Sequence, residues 1–238
     1  MRFTKLFTSA TATIGAALLA VACGHSQNGT HESAAQVAGD VLTDTAAHAS
    51  AADSLMARAD SARIQGSPSA PLWIIEVSDF QCPFCRMFHA QTYPTIKKDY
   101  VETGKARLAY INFPVPGHQN AWPAALAAMC AAAQGKFWPM HDALFNSQDS
   151  WGELKDPTPV FDSLATSVGA DMTSFNSCVS KKIMMPLVQA DRSRAEEHGV
   201  NATPTFLIGT QRIVGAESIA TFRRVIDAEL AKSRGSAK

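Results

Sequence analysis

The run Leu72-Trp73-Ile74-Ile75-Glu76-Val77 is almost continuously apolar and β-prone, and five residues later comes Cys82-Pro83-Phe84-Cys85 at the mouth of an apparent helix. Such a run suits a strand covered on both faces. Cys85, Phe88, His89 and the residues up to Tyr93 give the following helix an inward stripe. Strand, pair of thiols and helix in that order restrict the chain to an α/β arrangement whose first helical turn carries the two sulfurs. The unpaired N–H groups and the positive dipole end at a helix start stabilise an anion. Cys82 is therefore expected to be an accessible, low-pKa thiolate, and Cys85, one turn further in, to resolve a mixed disulfide formed on it. Pro83 suits the first turn, where its missing N–H costs nothing. Phe84 brings neither charge nor hydrogen bond, so the thiolate is expected to depend on the helix terminus and neighbouring backbone.

Other chemistries fit this motif less well. A structural disulfide within a four-residue ring is strained. A zinc site needs two further ligands at matching spacing, and no second Cys-x-x-Cys is present. His89 is a conceivable copper or zinc ligand, but a single helical histidine more often packs or meets solvent, so no metal site is expected. Glu76 is costly in an apolar strand unless it is hydrogen-bonded or takes up a proton. If buried, its pKa rises and it can relay a proton to or from Cys85; by strict alternation it would instead point to a solvent-facing edge. Thr203-Pro204 precedes a short apolar run, Thr205 to Ile208, then Gly209 and a second strand from Gln211 to Val214, which reads as a β-hairpin. Proline is tolerated at a strand entry, and X-Pro is the one bond where cis is cheap.

From about Gln65 to about Leu230 the sequence resembles the thioredoxin-fold disulfide oxidoreductases of the DsbA type. Glu76-Val77-Ser78-Asp79-Phe80-Gln81-Cys82-Pro83-Phe84-Cys85 resembles that family's strand and active-site entry, and Ala202-Thr203-Pro204-Thr205-Phe206 its cis-proline loop. The stretch from Gln134 to Phe145 resembles its helical insertion. The resemblance implies a thioredoxin fold with a helical insertion, about residues 114–200, between the βαβ half and the C-terminal ββα half. It also implies that Pro204 is cis and faces the cysteines, that Thr203 offers backbone groups to an extended peptide, and that Glu76 is the family's buried acid. Helices are expected at about 119–133, 136–146, 159–168, 181–198 and 217–232. His118, Trp122, Trp138 and His141 are candidates for lining the groove near Cys82, but are assigned to helix packing rather than catalysis.

The 238 residues carry 21 basic and 21 acidic side chains, scattered rather than clustered, so nothing suggests nucleic-acid binding. Arg2 and Lys5, a weakly apolar stretch and Leu18-Leu19-Ala20-Val21-Ala22-Cys23 read as a signal segment, residues 1–22, too short to span a membrane. The ending resembles a lipobox with its leucine displaced by one, so Cys23 is a candidate lipid anchor, with plain secretion as the alternative. Without Cys23 four of the five cysteines remain, an even number suited to an oxidising compartment. Cys130 and Cys178 are accordingly expected to form a structural disulfide. Residues 23–69, poor in large apolar side chains, read as a flexible tether, although 51–63 has the makings of a short helix, and its His25, His31 and His48 as solvated residues. The catalytic domain is placed at 70–235.

The expected function is an extracytoplasmic, cell-envelope or periplasmic thiol-disulfide oxidoreductase that needs no cofactor and donates the Cys82-Cys85 disulfide to substrate proteins. It is expected to act as a monomer and, as the resemblance implies, to be reoxidised by a membrane quinone-coupled partner. A reductase or isomerase of the same fold, and a metal-binding or chaperone-like module without turnover, are the alternatives.

Overall fold

A computed structural model describes residues 52–235. The signal segment, Cys23 and the three tract histidines lie outside the described residues. Helix α1 occupies 52–62 and leads through Arg63 into the short strand β1, Ile64–Gln65. β2 is Leu72–Ser78, β3 Ala106–Asn112, β4 Thr205–Ile208 and β5 Gln211–Val214. They form one five-stranded sheet in the order β1-β3-β2-β4-β5. β2 and β3 are parallel, whereas β4 runs antiparallel to both β2 and β5. The helical insertion lies between β3 and β4, so the fold is α/β and thioredoxin-like.

The sheet's alternation sets its core. Leu72, Ile74 and Glu76 on β2 point to one buried face while Trp73 is partly exposed on the other. Ile74, Leu108, Phe206 and Ile208 on the first face pack with Phe88 of α2 (Pro83–Gln91) and with Phe222 and Ile226 of α10 (Ile219–Gly235). The β4–β5 hairpin turns at Gly209, whose φ of +56° and close approach to the Glu229 carboxylate leave no room for a Cβ. The active-site helix ends sooner than its apolar stripe predicts. It breaks at Thr92, and a short α3 (Tyr93–Ile96) with Pro94 in its first turn continues into a π-helical turn, Lys97–Val101.

The insertion is built around α4 (Ala121–Ala132), where residues from Ala124 to Ala132 are all buried. Its alanines let α5 (Phe137–Asn146), α7 (Thr158–Ser167), α8 (Met172–Ser180) and α9 (Met185–Glu197) pack closely around it. A short α6, Gln148–Trp151, follows α5. Neither α6 nor α8 is among the helices expected from the pattern. α8 carries a clear start signal nonetheless, since the Asp171 side chain accepts a hydrogen bond from Ser174 N at 2.8 Å. Cys130 of α4 and Cys178 of α8 are joined by a disulfide.

The tether expected to reach residue 69 does not extend that far. α1 buries Ala59 against the insertion, with Leu55 and Met56 packed beside it, and β1 pairs with β3. Averaging over a long polar tract hid this short apolar stripe. Arg63, 3% exposed, then forms a two-pronged ion pair with Asp191 of α9, one arm at 2.9 Å, and Asp191 also accepts from Asn112 N (3.2 Å) and Nδ2 (2.9 Å) on β3. One buried carboxylate thus ties the first described residues to the insertion and the sheet. Asp191→Ala leaves the buried guanidinium with only the half-exposed Asp60 as a partner and strips Asn112 of its acceptor, and is expected to cost about 3–5 kcal/mol in urea denaturation. A loss below about 1 kcal/mol would mean that the existing pairing with Asp60 suffices for the buried guanidinium.

Candidate active site

β2 ends at Ser78, and three residues carry the chain to Cys82, the N-cap of α2. Cys82 has extended backbone angles (φ −70°, ψ 125°), Pro83 opens the helix, and Arg86 N donates to Cys82 O at 3.1 Å. The Asp79 side chain folds this loop. Its Oδ1 accepts from Gln81 N at 2.7 Å, and its Oδ2 from Val115 N (2.8 Å) and pairs with His118 Nδ1 (2.7 Å).

The two sulfurs are held as a dithiol with opposite tendencies. Cys82 is lowered to about 6, first by the hydrogen bond from the Cys85 thiol, then by Thr203 and the backbone N–H groups of Cys85 and Phe84, against a desolvation that works the other way. Cys85 is pushed well above its ordinary value by complete burial and by its neighbour Cys82. The sequence-based expectation credited the helix terminus and backbone alone; the larger contribution is the second thiol. Cys82 is also less open than expected, only 4% exposed, because the Thr203 carbonyl lies 3.4 Å from its Sγ. Beside it Phe84 is 56% exposed, an apolar surface next to the sulfur.

The Thr203–Pro204 peptide is cis, and Pro204 O accepts from Gly215 N at 2.8 Å. Cys82, Cys85, Thr203 and Pro204 therefore meet at one end of the sheet. Glu76 is 1% exposed, paired on its strand with Tyr110 of β3 and Phe206 of β4, so the solvent-facing alternative does not hold. Burial pushes its carboxyl up to about 8. Both Glu76 and Cys85 lie near enough to raise the Tyr110 hydroxyl, and Tyr110 Oη, Ser78 Oγ and Glu76 Oε2 are buried without a hydrogen-bond partner. Cys130 and Cys178 stand apart from this group, in the insertion.

A family described as Thioredoxin matches residues 58–228. The chain belongs to the thioredoxin family. It is 28% identical to the crystal structure of Wolbachia pipientis alpha-DsbA1, at a TM-score of 0.66, over 74% of this chain and 94% of that one. Disulfide bond formation protein D of Bacillus subtilis is 24% identical over 173 residues, 70% of this chain and 76% of that protein. The Na(+)/H(+) antiporter NhaA 1 of Mycolicibacterium gilvum is 31% identical over 172 residues, 69% of this chain but 26% of the antiporter. This thioredoxin-family chain thus spans about a quarter of the antiporters it matches, while its architecture is that of the DsbA-like members.

Several polar residues that hold the site have no motif of their own. Gln148 of α6 donates to Phe80 O (2.7 Å) and Cys82 O (3.1 Å). Gln81 accepts from Asn120 N and donates to Gly152 O, both at 2.7 Å, while Asn120 Nδ2 reaches Trp151 O, Gly152 O and Leu154 O. Of the groove candidates, His118 pairs with Asp79, Trp122 lines a separate groove of the insertion with Phe161 and Phe175, and Trp138 and His141 pack in an aromatic layer with Phe137 and Tyr93.

With Cys82 titrating near 6 and Cys85 far above, iodoacetamide should modify one thiol of the reduced protein with a half-maximal rate near pH about 6, at Cys82. Because the folded value lies below the ordinary 9.0, the unfolded chain holds the extra proton between them. The Cys82 contribution to the stability of the dithiol form should therefore grow as pH rises from about 6 to 9.0, and be lost as pH falls through about 6. Glu76, raised to about 8, contributes an opposite slope to both proteins, so the check is the difference between the parent and Cys82→Ala profiles, which should grow from pH about 6 to 9.0.

Proposed function

We propose that this protein is an extracytoplasmic thiol-disulfide oxidoreductase that donates its Cys82-Cys85 disulfide to protein thiols. The observation that carries the reading is the divergence of the two sulfurs, one lowered to about 6 and one raised, opposite the Thr203–Pro204 loop. A substrate thiolate attacks Cys82 Sγ; the Cys82–Cys85 bond breaks, a mixed disulfide forms, and Cys85 leaves with the electron pair. Glu76, a carboxylic acid near neutrality, supplies the proton that the buried Cys85 sulfur needs. A second substrate thiolate then attacks the substrate sulfur of the mixed disulfide, and Cys82 leaves as its stabilised thiolate. The substrate has lost two electrons and the enzyme has gained them. Thr203 holds the incoming strand by its backbone.

The Cys130–Cys178 disulfide and the signal-like residues 1–22 support a location outside the cytoplasm, with Cys23 as the candidate lipid anchor. The protein then works as a monomer, and a membrane redox partner restores the disulfide. Stabilising the Cys82 thiolate favours the reduced enzyme and so makes its disulfide oxidising.

Cys82→Ala should abolish disulfide transfer to a reduced, unfolded protein, and Cys85→Ala, given a disulfide-containing protein, should trap it as a mixed disulfide through Cys82 as the other substrate sulfur leaves, seen as a higher band on non-reducing gels. The equilibrium potential in glutathione buffers separates the roles. A value towards about −120 mV supports the oxidase; one near about −270 mV makes the protein a reductase. Glu76→Gln should slow the step in which Cys85 leaves and remove the limb of the pH–rate profile near about 8. An unchanged profile would show that Cys85 takes its proton from elsewhere.

A further inference from the structure

His89 faces α5 from the active-site helix one turn beyond Cys85, and there meets His141 and Asp142. His89 Nε2 is 3.1 Å and His141 Nδ1 2.8 Å from the same oxygen, Asp142 Oδ1, and the three donor atoms all lie within 4.8 Å of one another. Tetrahedral ligands at zinc–nitrogen distances of about 2.0–2.1 Å sit about 3.3 Å apart, so two sides of this triangle are already at ligand spacing.

The proton inventory of His141 argues for a cation. A neutral imidazole carries one N–H, on either Nδ1 or Nε2. Asp142 Oδ1 lies within hydrogen-bond distance of both rings. With the proton on Nδ1, the ring serves Asp142 but buries the lone pair of Nε2, which has no hydrogen-bond partner. The His141 ring is enclosed by aromatic side chains, Phe145 and Tyr110 among them, at centroid distances of 5.0 and 5.4 Å. With the proton on Nε2, Nδ1 and Asp142 Oδ1 become two acceptors at 2.8 Å. A metal ion between them satisfies both ends.

We propose that His89, His141 and Asp142 form a binding site for a divalent d-block cation of the zinc type, clamping the active-site helix α2 to α5 of the insertion. Two imidazoles and one carboxylate suit zinc or its neighbours better than calcium or magnesium, which prefer all-oxygen cages. The Asp142 side chain is 43% exposed, so a water can complete the coordination from solvent. The site is separate from the thiols and does not depend on the direction of disulfide exchange.

The test uses the full chain, treated with chelator and with Cys82-Cys85 kept as a disulfide, so that no thiolate there can bind. Zn2+ is titrated against a chromophoric chelator, and Co2+ is followed by its d–d absorption. The expected result is one zinc per chain, a Co2+ spectrum without a thiolate charge-transfer band, and a higher melting temperature with zinc. Asp142→Asn and His89→Gln should each weaken binding by roughly tenfold or more and cancel the thermal shift. The His25→Gln/His31→Gln/His48→Gln chain should bind as the parent does. Asp142→Asn changes a half-exposed side chain and keeps its size, so it remains informative if the His89 variant fails to fold. Parent-like zinc binding in Asp142→Asn, loss of binding in the triple histidine variant, or no binding by the parent overturns the site.

Discussion

The register of β2 against its two neighbours is the constraint from which the active site follows. Glu76 pairs with Tyr110 on one side and Phe206 on the other, and Val77 pairs with Thr205. Because β4 is antiparallel to β2, the residues preceding Thr205 lie beside those following Val77. Thr203–Pro204 is therefore delivered to the turn that carries Cys82, although 121 positions separate Thr203 from the sulfur it touches. A one-residue slip would turn Glu76 and its neighbours to the opposite face. The apolar residues of β2 and β4, packed on Phe88 and Phe222, forbid that slip.

The chemistry then depends on unequal burial within a four-residue segment. Cys85 is fully enclosed, so its charged form is penalised; it keeps its proton and offers it to Cys82. That hydrogen bond does more for the Cys82 thiolate than either the Thr203 contact or the backbone N–H groups. The helix start, the buried thiol and the cis-proline loop thus act on one atom from three directions. Glu76 shares the cost of burial: its carboxyl, like the Cys85 thiol, is neutral near pH 7, so the interior behind the disulfide holds protons rather than charges.

Much of this was legible in the chain because it is written locally. The strand before the cysteines, the two thiols at a helix start, the proline at a strand entry and the acid in an apolar run are short-range patterns with physical reasons. What escaped depends on tertiary pairing. Gln81, Gln148 and Asn120 are ordinary polar residues until the fold aims them at backbone carbonyls. Asp142 lies 53 residues from His89, and nothing in either local segment announces the other. α1 was diluted by the polar tract around it, and only its contacts, above all Arg63 with Asp191, show that it belongs to the domain.

These polar residues also explain why the insertion is more than a lid. Gln148 holds the carbonyls of Phe80 and Cys82, so the sulfur-bearing turn is anchored to α6. Gln81 and Asn120 close a second link through the Gly152 carbonyl. Each link uses buried or half-buried backbone groups that would otherwise lack partners, so releasing the insertion would expose or orphan several of them together. The turn that positions Cys82 and the helices that flank it are then one cooperative unit. The geometry that lowers the Cys82 thiol is maintained by the helical insertion as much as by the thioredoxin-like sheet beneath it.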